Sequence, residues 1–337
     1  MEKKGQFSPL FKYIFMLVAG AFILIFFIGF AMSYMGGAGQ VESAKSMMYF
    51  DNDLALKADA ESLMDKDYDL KLKAVLTFSE GEIFSGRMSQ KTSRIIYSPE
   101  TLSGSVLYIG SMAWMLPYKV DNFFYVTNAQ FKYYIIYDSK WEEYVRDDLG
   151  TNPIVENLGI EMIAEKDLAR AVATIDRSTA DYEGVRFIYF GDNAGRVEGR
   201  IGEIGDLVVA RPESIVEGEE YGTVGFGGEE LPYLGRAMLF GAFFAADEES
   251  YAFNFERAQE RFAGVTDIYI GKAKGIGGLT TLNCNSARVI SGNAGLEGLK
   301  RQVGKDIGAI DPGAIYGMVG SIVSQNKNPG EGCPDVF

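Results

Sequence analysis

An uncharged run of 22 residues, Tyr13–Tyr34, constrains this chain more than any other feature of its sequence. At about 1.5 Å per helical residue the run reaches about 33 Å, and the hydrocarbon core of a bilayer is about 30 Å thick. Three lysines precede the run and acidic residues follow it. By the positive-inside rule we predict a single-pass transmembrane helix over residues 13–35, with residues 1–12 in the cytoplasm and the rest outside.

Two other interpretations of this run stay open. A buried core helix usually keeps a polar face, which this run lacks. A cleaved secretory signal has a shorter apolar region followed by small residues. Ala31, Ser33 and the glycines that follow are consistent with such a cleavage site. The retained anchor is the favoured interpretation, and its partner would be the lipid bilayer of the cell membrane.

The residues before the apolar run, Lys3-Lys4-Gly5-Gln6-Phe7-Ser8, resemble the class III signal of archaeal type IV pilin-like proteins. The resemblance implies that a prepilin peptidase cuts after Gly5 and leaves Gln6 as the mature terminus. The chain departs from that family at Leu10, where a glutamate is common, and at Pro9. The alternative is a basic flank on an ordinary anchor. The mass of the mature N-terminus distinguishes the two.

Composition excludes several classes of function. The chain has 46 Asp and Glu against 32 Lys and Arg, for a net charge of −14. Such a surface repels phosphate backbones, so no nucleic-acid partner is expected. Histidine is absent, which removes the usual base of hydrolytic triads and the commonest nitrogen ligand of zinc.

After a stalk or linker over residues 36–69, strands and helices alternate through an extracytoplasmic domain at 70–282. Phe131–Tyr137 and Val185–Phe190 are runs of aromatic and β-branched residues that predict buried strands. Helical patterns separate them. The predicted fold class is therefore α/β, with a mostly parallel or mixed helix-flanked sheet.

Local signals predict further elements. Ser139 and Glu142 have the spacing of a capping box. Pro232 favours the start of a helix, and the apolar residues 234–246 are too short for a second membrane span and predict a core helix. The residues Thr266–Ile270 favour a strand.

Residues 283–337 form a C-terminal helical segment and tail. Asp311 and Pro312 predict a capped helix start. Cys284 and Cys333 flank this helix, and a disulfide between them is expected outside the cytoplasm. The alternative is two free, partly buried thiols.

Polar residues follow the two strongest strands: Asp138 and Ser139 after the first, Asp192 and Asn193 after the second. Ligands bind at the carboxyl ends of parallel strands, so we predict a ligand site there if the strands are neighbours. The alternative is that these residues serve turns and caps. The turn at 225–228 is glycine-rich but lacks the spacing of a phosphate loop.

The sequence favours an envelope protein of the binding or scaffold class, with a protein partner in the envelope and no cofactor. One alternative is a pilin-like filament subunit. Another is a carboxylate-based, metal-dependent hydrolase that uses Asp138 and Asp192. No set of metal ligands is identified from the sequence.

Overall fold

The computed structural model describes residues 7–57, 62–178, 182–216, 218–278, 284–328 and 333–337. The helices in these ranges are α1 Phe7–Lys57, α2 Pro153–Leu158, α3 Leu168–Ser178, α4 Ala194–Ile201, α5 Arg236–Phe244, α6 Glu248–Gly277, α7 Asn285–Ser291, α8 Leu296–Val303 and α9 Pro312–Lys327. The strands are β1 Ser62–Ser79, β2 Glu82–Ser85, β3 Met88–Lys91, β4 Ile95–Tyr97, β5 Thr101–Met115, β6 Lys119–Thr127, β7 Phe131–Tyr137, β8 Glu161–Ala164, β9 Gly184–Phe190, β10 Asp206–Ser214, β11 Tyr221–Gly225 and β12 Glu230–Leu234.

The apolar run lies inside the long helix α1, whose side chains are described over residues 13–29 and 47–57. Within the described part of the chain, no helix is both long enough and apolar enough to cross a bilayer. The prediction of a transmembrane helix over residues 13–35 is therefore corrected. Gly5 and Gln6 lie outside the described residues.

The first sheet has the strand order β3-β2-β1-β5-β6-β4. Its neighbouring strands are antiparallel except for β4 and β6, which are parallel. The C-terminal part of α1 packs on this sheet through Met47, Phe50 and Leu54, all three buried. This apolar face at i, i+3 and i+7 joins α1 to the body of the protein.

The second sheet has the order β12-β11-β10-β9-β7-β8. Strands β10, β9, β7 and β8 are parallel, whereas β11 and β12 are antiparallel additions. Helices follow the parallel strands, as βαβ connections require. The chain is therefore α/β with mixed sheets, as the sequence predicts.

Helix α5 lies between the two sheets and contacts strands of both. Residues 237–244 are all buried, which confirms the prediction of a core helix in this region. Polar anchors surround it: Tyr125 Oη donates to the Ala237 carbonyl oxygen at 2.7 Å, and Trp114 Nε1 donates to the Leu234 carbonyl oxygen at 2.7 Å. The Tyr125 hydroxyl and the Trp114 indole N–H are thus both satisfied although their rings are buried.

The helix does not begin at Pro232, and that prediction is wrong. Pro232 belongs to β12, an outer strand of its sheet, where it pairs with Thr223 of β11. An outer strand tolerates proline because the missing N–H need not face another strand. Helix α5 starts at Arg236, after Gly235 with φ of +89°.

The predicted strand over Thr266–Ile270 is also wrong, because these residues lie within the long helix α6. The buried side chains of α6 recur every three or four residues, with Phe262, Thr266 and Ile270 on one face. Burial on a face of period 3.6 outweighs the strand preference of β-branched and aromatic residues.

The predicted cap at the start of α9 is confirmed, since Asp311 Oδ1 accepts the Ala314 N–H at 2.9 Å. The structure joins Cys284 to Cys333 in a disulfide, as predicted. The tail beyond Cys333 is held on the domain by Asn326, whose Nδ2 donates to the Phe337 carbonyl oxygen at 2.6 Å.

Candidate functional site

The parallel part of the second sheet has a switch in strand order between β7 and β9. From β7 the chain proceeds to β8 on one side, whereas from β9 it proceeds to β10 on the other. Connections that leave neighbouring strands in opposite directions open a crevice at the carboxyl ends of the strands. Tyr137 pairs with Phe190 at this edge, and the Asp138 N–H donates to the Phe190 carbonyl oxygen at 3.0 Å.

A cleft of about 310 Å³ lies beyond these strand ends, and we call it the switch-point cleft. Its lining comes from the ends of β7 and β8 and from α4: Tyr137, Asp138, Ser139, Glu142, Ala164, Glu165, Lys166 and Arg196. The sequence-predicted residues Asp138 and Ser139 are in this lining.

Asp192 and Asn193 follow β9, the neighbouring strand, and both are exposed. Neither is among the residues that line the switch-point cleft. The Asn193 N–H donates to the Tyr189 hydroxyl at 3.2 Å. The structure thus places Asp138 and Asp192 at the same sheet edge, but the carboxylates that share the cleft with Asp138 are Glu142 and Glu165.

Ser139 and Glu142 do not form the predicted capping box. Instead Asp138 Oδ1 accepts the Lys140 N–H at 2.8 Å, which makes a local turn. A short helical stretch follows and continues into a π-helical turn over Tyr144–Asp148. The turn therefore holds one Asp138 oxygen and fixes the carboxylate at the rim of the cleft.

Glu165 and Tyr189 are buried polar residues of this region, and no local sequence pattern predicts a role for either. The Tyr189 hydroxyl donates to Glu165 Oε2 at 2.9 Å, and Arg196 Nη1 lies 3.4 Å from Glu165 Oε1. Arg200 Nη1 also donates to the Glu165 carbonyl oxygen at 3.2 Å. Burial of a carboxylate is compensated when it is hydrogen-bonded and paired with a cation. Only strand order brings these residues together, so no local signal identifies them.

Position 191 requires glycine because neighbouring side chains lie close to its Cα. A Cβ at this position would overlap the Tyr189 hydroxyl and lie 2.9 Å from Asp138 Oδ2. The hydroxyl and the carboxylate therefore both lie within about 3 Å of one point above the strand ends. The absence of a side chain at Gly191 lets the ends of β7 and β9 form one polar surface.

Burial raises the pKa of the Tyr189 hydroxyl to about 12. The amide of Asn193 lowers that pKa in part, whereas the hydrogen bond to Glu165 and the charges of Glu165 and Asp138 raise it. Tyr189 is therefore protonated near neutral pH and serves as a hydrogen-bond donor to Glu165.

The cleft carries charges of both signs at its rim. Lys166 and Arg196 are exposed cations beside Asp138 and Glu142. Arg146 Nε donates to the Tyr137 hydroxyl at 2.8 Å, and its Nη1 lies 3.7 Å from Glu142. Among the described residues, no group of three or more carboxylates or thiolates is placed to hold a metal ion. This arrangement can bind a polar ligand through complementary charges.

The glycine-rich turn at 225–228 borders a separate groove of about 560 Å³. Glu230, Asp247 and Glu248 also line this groove. Asp247 caps the start of α6 by accepting the Ser250 N–H at 2.8 Å, so the cap occupies one of the N–H groups that an anion would use. Carboxylates at this position disfavour phosphate.

Comparison with protein-family models, with curated proteins and with solved structures finds no match to this chain.

Proposed function

We propose that this chain is an extracytoplasmic binding protein of the cell envelope, and that its ligand site is the switch-point cleft. The observation that carries the proposal is the position of a charged, concave surface at the carboxyl ends of β7 and β9, where strand order switches. The disulfide between Cys284 and Cys333 supports an oxidising compartment.

The state of the buried groups favours binding over proton transfer. Glu165 is already satisfied by Tyr189 and Arg196, which makes a rigid floor for the cleft. Tyr189, with a pKa near 12, keeps its proton at neutral pH, whereas a general acid or base acts best near the working pH. Preformed polar pairs of this kind orient a ligand at little entropic cost.

The charges at the rim indicate the class of ligand. Lys166 and Arg196 can hold a carboxylate, while Asp138 and Glu142 can hold an ammonium group. A ligand with both groups satisfies both pairs, so we propose a small zwitterion of the amino-acid type. Binding to a protein partner would use the same groups on an exposed peptide end.

Free amino acids should raise the thermal unfolding temperature of the full chain. A ligand at about 100 times its Kd stabilises the folded state by about 2.7 kcal/mol. The matching amines and carboxylic acids, each with one charge, should stabilise far less. Asp138→Asn and Lys166→Met should each weaken binding at least about tenfold, while Asp192→Asn, at the same edge but outside the cleft, should not. Equal binding by the single-charge compounds, or loss of binding only in Asp192→Asn, would contradict the proposal.

Part of α1 also suggests a lipid partner. Over residues 13–28 its large apolar side chains are exposed, from 45% for Val18 to 74% for Leu17. Exposed apolar surface of this extent marks an interaction site. We propose that this part of α1 contacts membrane lipid.

The full chain should float with liposomes in a density gradient without detergent. Ile23→Ser, Phe26→Ser and Phe27→Ser together should weaken flotation strongly, because each buried side chain of this size contributes about 1.5–3 kcal/mol. Leu56→Ser is the matched control, since Leu56 is 80% exposed on the same helix but outside residues 13–28. A wild-type chain that stays in the dense fraction would refute the lipid contact.

A further inference from the structure

A second cleft lies between the end of β5, in the first sheet, and the residues that flank β11 and β12 of the second sheet. It has a volume of about 230 Å³ and includes Trp114 and Met115 of β5, Glu220, Gly235, Arg236 and Tyr316 of α9 in its lining. We call it the Tyr316 cleft. Its polar wall is the ion-pair cluster of Arg236, and its apolar wall is the end of β5.

Tyr316 lines this cleft, and its buried hydroxyl has no hydrogen-bond partner among the described residues. The residue is 4% exposed. An unsatisfied buried hydroxyl costs about 1–3 kcal/mol, so such groups are rare in folded proteins. The ring is held in place by stacking on Tyr221, with centroids 5.0 Å apart. A fixed, unpartnered hydroxyl in a cleft is the geometry expected where a ligand completes the hydrogen bond.

The charges around the hydroxyl select the sign of that ligand. Arg236 is bound by two carboxylates: its Nε donates to Glu220 Oε2 at 2.8 Å, and its Nη2 donates to Asp148 Oδ1 at 2.8 Å. Two negative charges therefore outnumber one positive charge. The pKa of Tyr316 is raised first by burial and then by the charges of Glu220 and Glu219. The carboxylates near the hydroxyl favour a cation there over an anion.

We propose that the Tyr316 cleft binds an alkylammonium group, the charged end of a small amine or of a lysine side chain. The ammonium donates a hydrogen bond to Tyr316 Oη, and Glu220 supplies the opposite charge. The carbon chain lies against Met115, which is 52% exposed. The site is separate from the switch-point cleft and does not depend on the function proposed for it.

Three probes of equal length test the charge requirement: n-butylammonium, 1-butanol and butyrate. Their affinities for the full, oxidised chain are measured by saturation-transfer NMR titration. We expect n-butylammonium to bind at least about tenfold more tightly than 1-butanol, a difference of about 1.4 kcal/mol, and butyrate not to bind. A wild-type chain that binds butyrate as well as n-butylammonium, or that binds none of the three probes, overturns the proposal.

Tyr316→Phe tests the hydroxyl directly. This variant should weaken n-butylammonium binding at least about tenfold with no loss of stability, because the hydroxyl it removes has no partner among the described residues. Tyr233→Phe is the matched control, since its buried hydroxyl is equally unpartnered there but does not line the cleft. Asp138→Asn should also bind n-butylammonium like the wild type, which separates this site from the switch-point cleft. Unchanged binding in Tyr316→Phe overturns the proposal.

The source of the ammonium group is identified with Nα-acetyl-lysine methylamide. Tighter binding of this compound than of n-butylammonium supports a lysine side chain of a protein. Weaker binding supports a free amine. In both cases Tyr316→Phe must lower the affinity, as the shared chemistry requires.

Discussion

Arg236→Met should lower the free energy of unfolding by about 3–5 kcal/mol, the range measured when one partner of a buried ion pair is removed. Arg236 donates to both oxygens of Glu220, at 3.0 and 2.8 Å from its Nε, and to both oxygens of Asp148 at 2.8 and 2.9 Å. The side chain of Glu220 is only 3% exposed. Without the guanidinium, that carboxylate stays buried without its cation.

The ionised state of Arg236 supports this expectation. Burial alone lowers the pKa of Arg236, but the hydrogen bond to Glu220 and the charges of Glu220 and Asp148 outweigh burial and raise it. The cation is therefore more stable in the folded chain than in water. Its loss removes attraction to both carboxylates at once.

Two controls separate the ion pair from simple packing. Asp148→Asn should cost no more than about 1 kcal/mol, because the Asp148 side chain is 40% exposed and solvent screens its charge. The double variant Arg236→Met with Glu220→Leu should recover much of the loss, since apolar replacement of a whole buried pair is often neutral. Urea titration followed by tryptophan fluorescence measures each value. A single Arg236→Met variant within about 1 kcal/mol of wild type contradicts the argument.

Loss of the disulfide should cost about 4 kcal/mol at 25 °C. Cys284 and Cys333 are 49 residues apart, and closing a loop of that length in the unfolded chain removes entropy worth about 4 kcal/mol. The folded tail keeps other contacts: Val336 is buried, its N–H donates to Asn326 Oδ1 at 2.7 Å, and the Phe337 ring lies 5.5 Å from that of Tyr118. The folded state therefore retains its tail, and the main effect arises in the unfolded state.

The double variant Cys284→Ser with Cys333→Ser should have the same free energy of unfolding as the wild type measured in excess dithiothreitol. Dithiothreitol should not change the free energy of unfolding of this double variant. Asn326→Ala removes the hydrogen bonds that hold the tail in the folded chain. The variant should lower the free energy of unfolding by a similar amount in the oxidised and in the reduced protein. The two amounts should be similar because Asn326 acts on the folded state, whereas the disulfide acts mainly on the unfolded state. A loss below about 1 kcal/mol on reduction would show that the unfolded chain is already constrained near these cysteines.

Local patterns predict several elements well. The strand at Phe131–Tyr137 has the predicted bounds, and the strand predicted at Val185–Phe190 differs by one residue at its start. Trp141, Val145 and Leu149 are buried and recur at helical spacing, although the segment includes a π-helical turn. In each of these segments the spacing of the apolar residues favours one type of secondary structure.

Predictions fail where a residue type suits more than one environment. Proline at 232 is favourable both at a helix start and in an outer strand, and only the position of β12 in the sheet decides between them. Residues 266–270 have strand propensity but continue a helical face. The sequence of the apolar run in α1 predicts a membrane span, whereas the described residues contain no helix that is long and apolar enough to cross a bilayer.

Local sequence patterns are sufficient to predict that this chain is α/β, that its strongest strands end in polar residues, that Asp311 caps a helix and that Cys284 and Cys333 form a pair. These features depend on residues that are near in sequence, or on two cysteines alone in the chain. That Asp138 shares its cleft with Glu165, and that Arg236 joins Asp148 to Glu220, becomes apparent from the packed elements alone. Strand order and helix packing set those neighbours, because contacts between distant residues depend on how whole elements bury their apolar faces against one another.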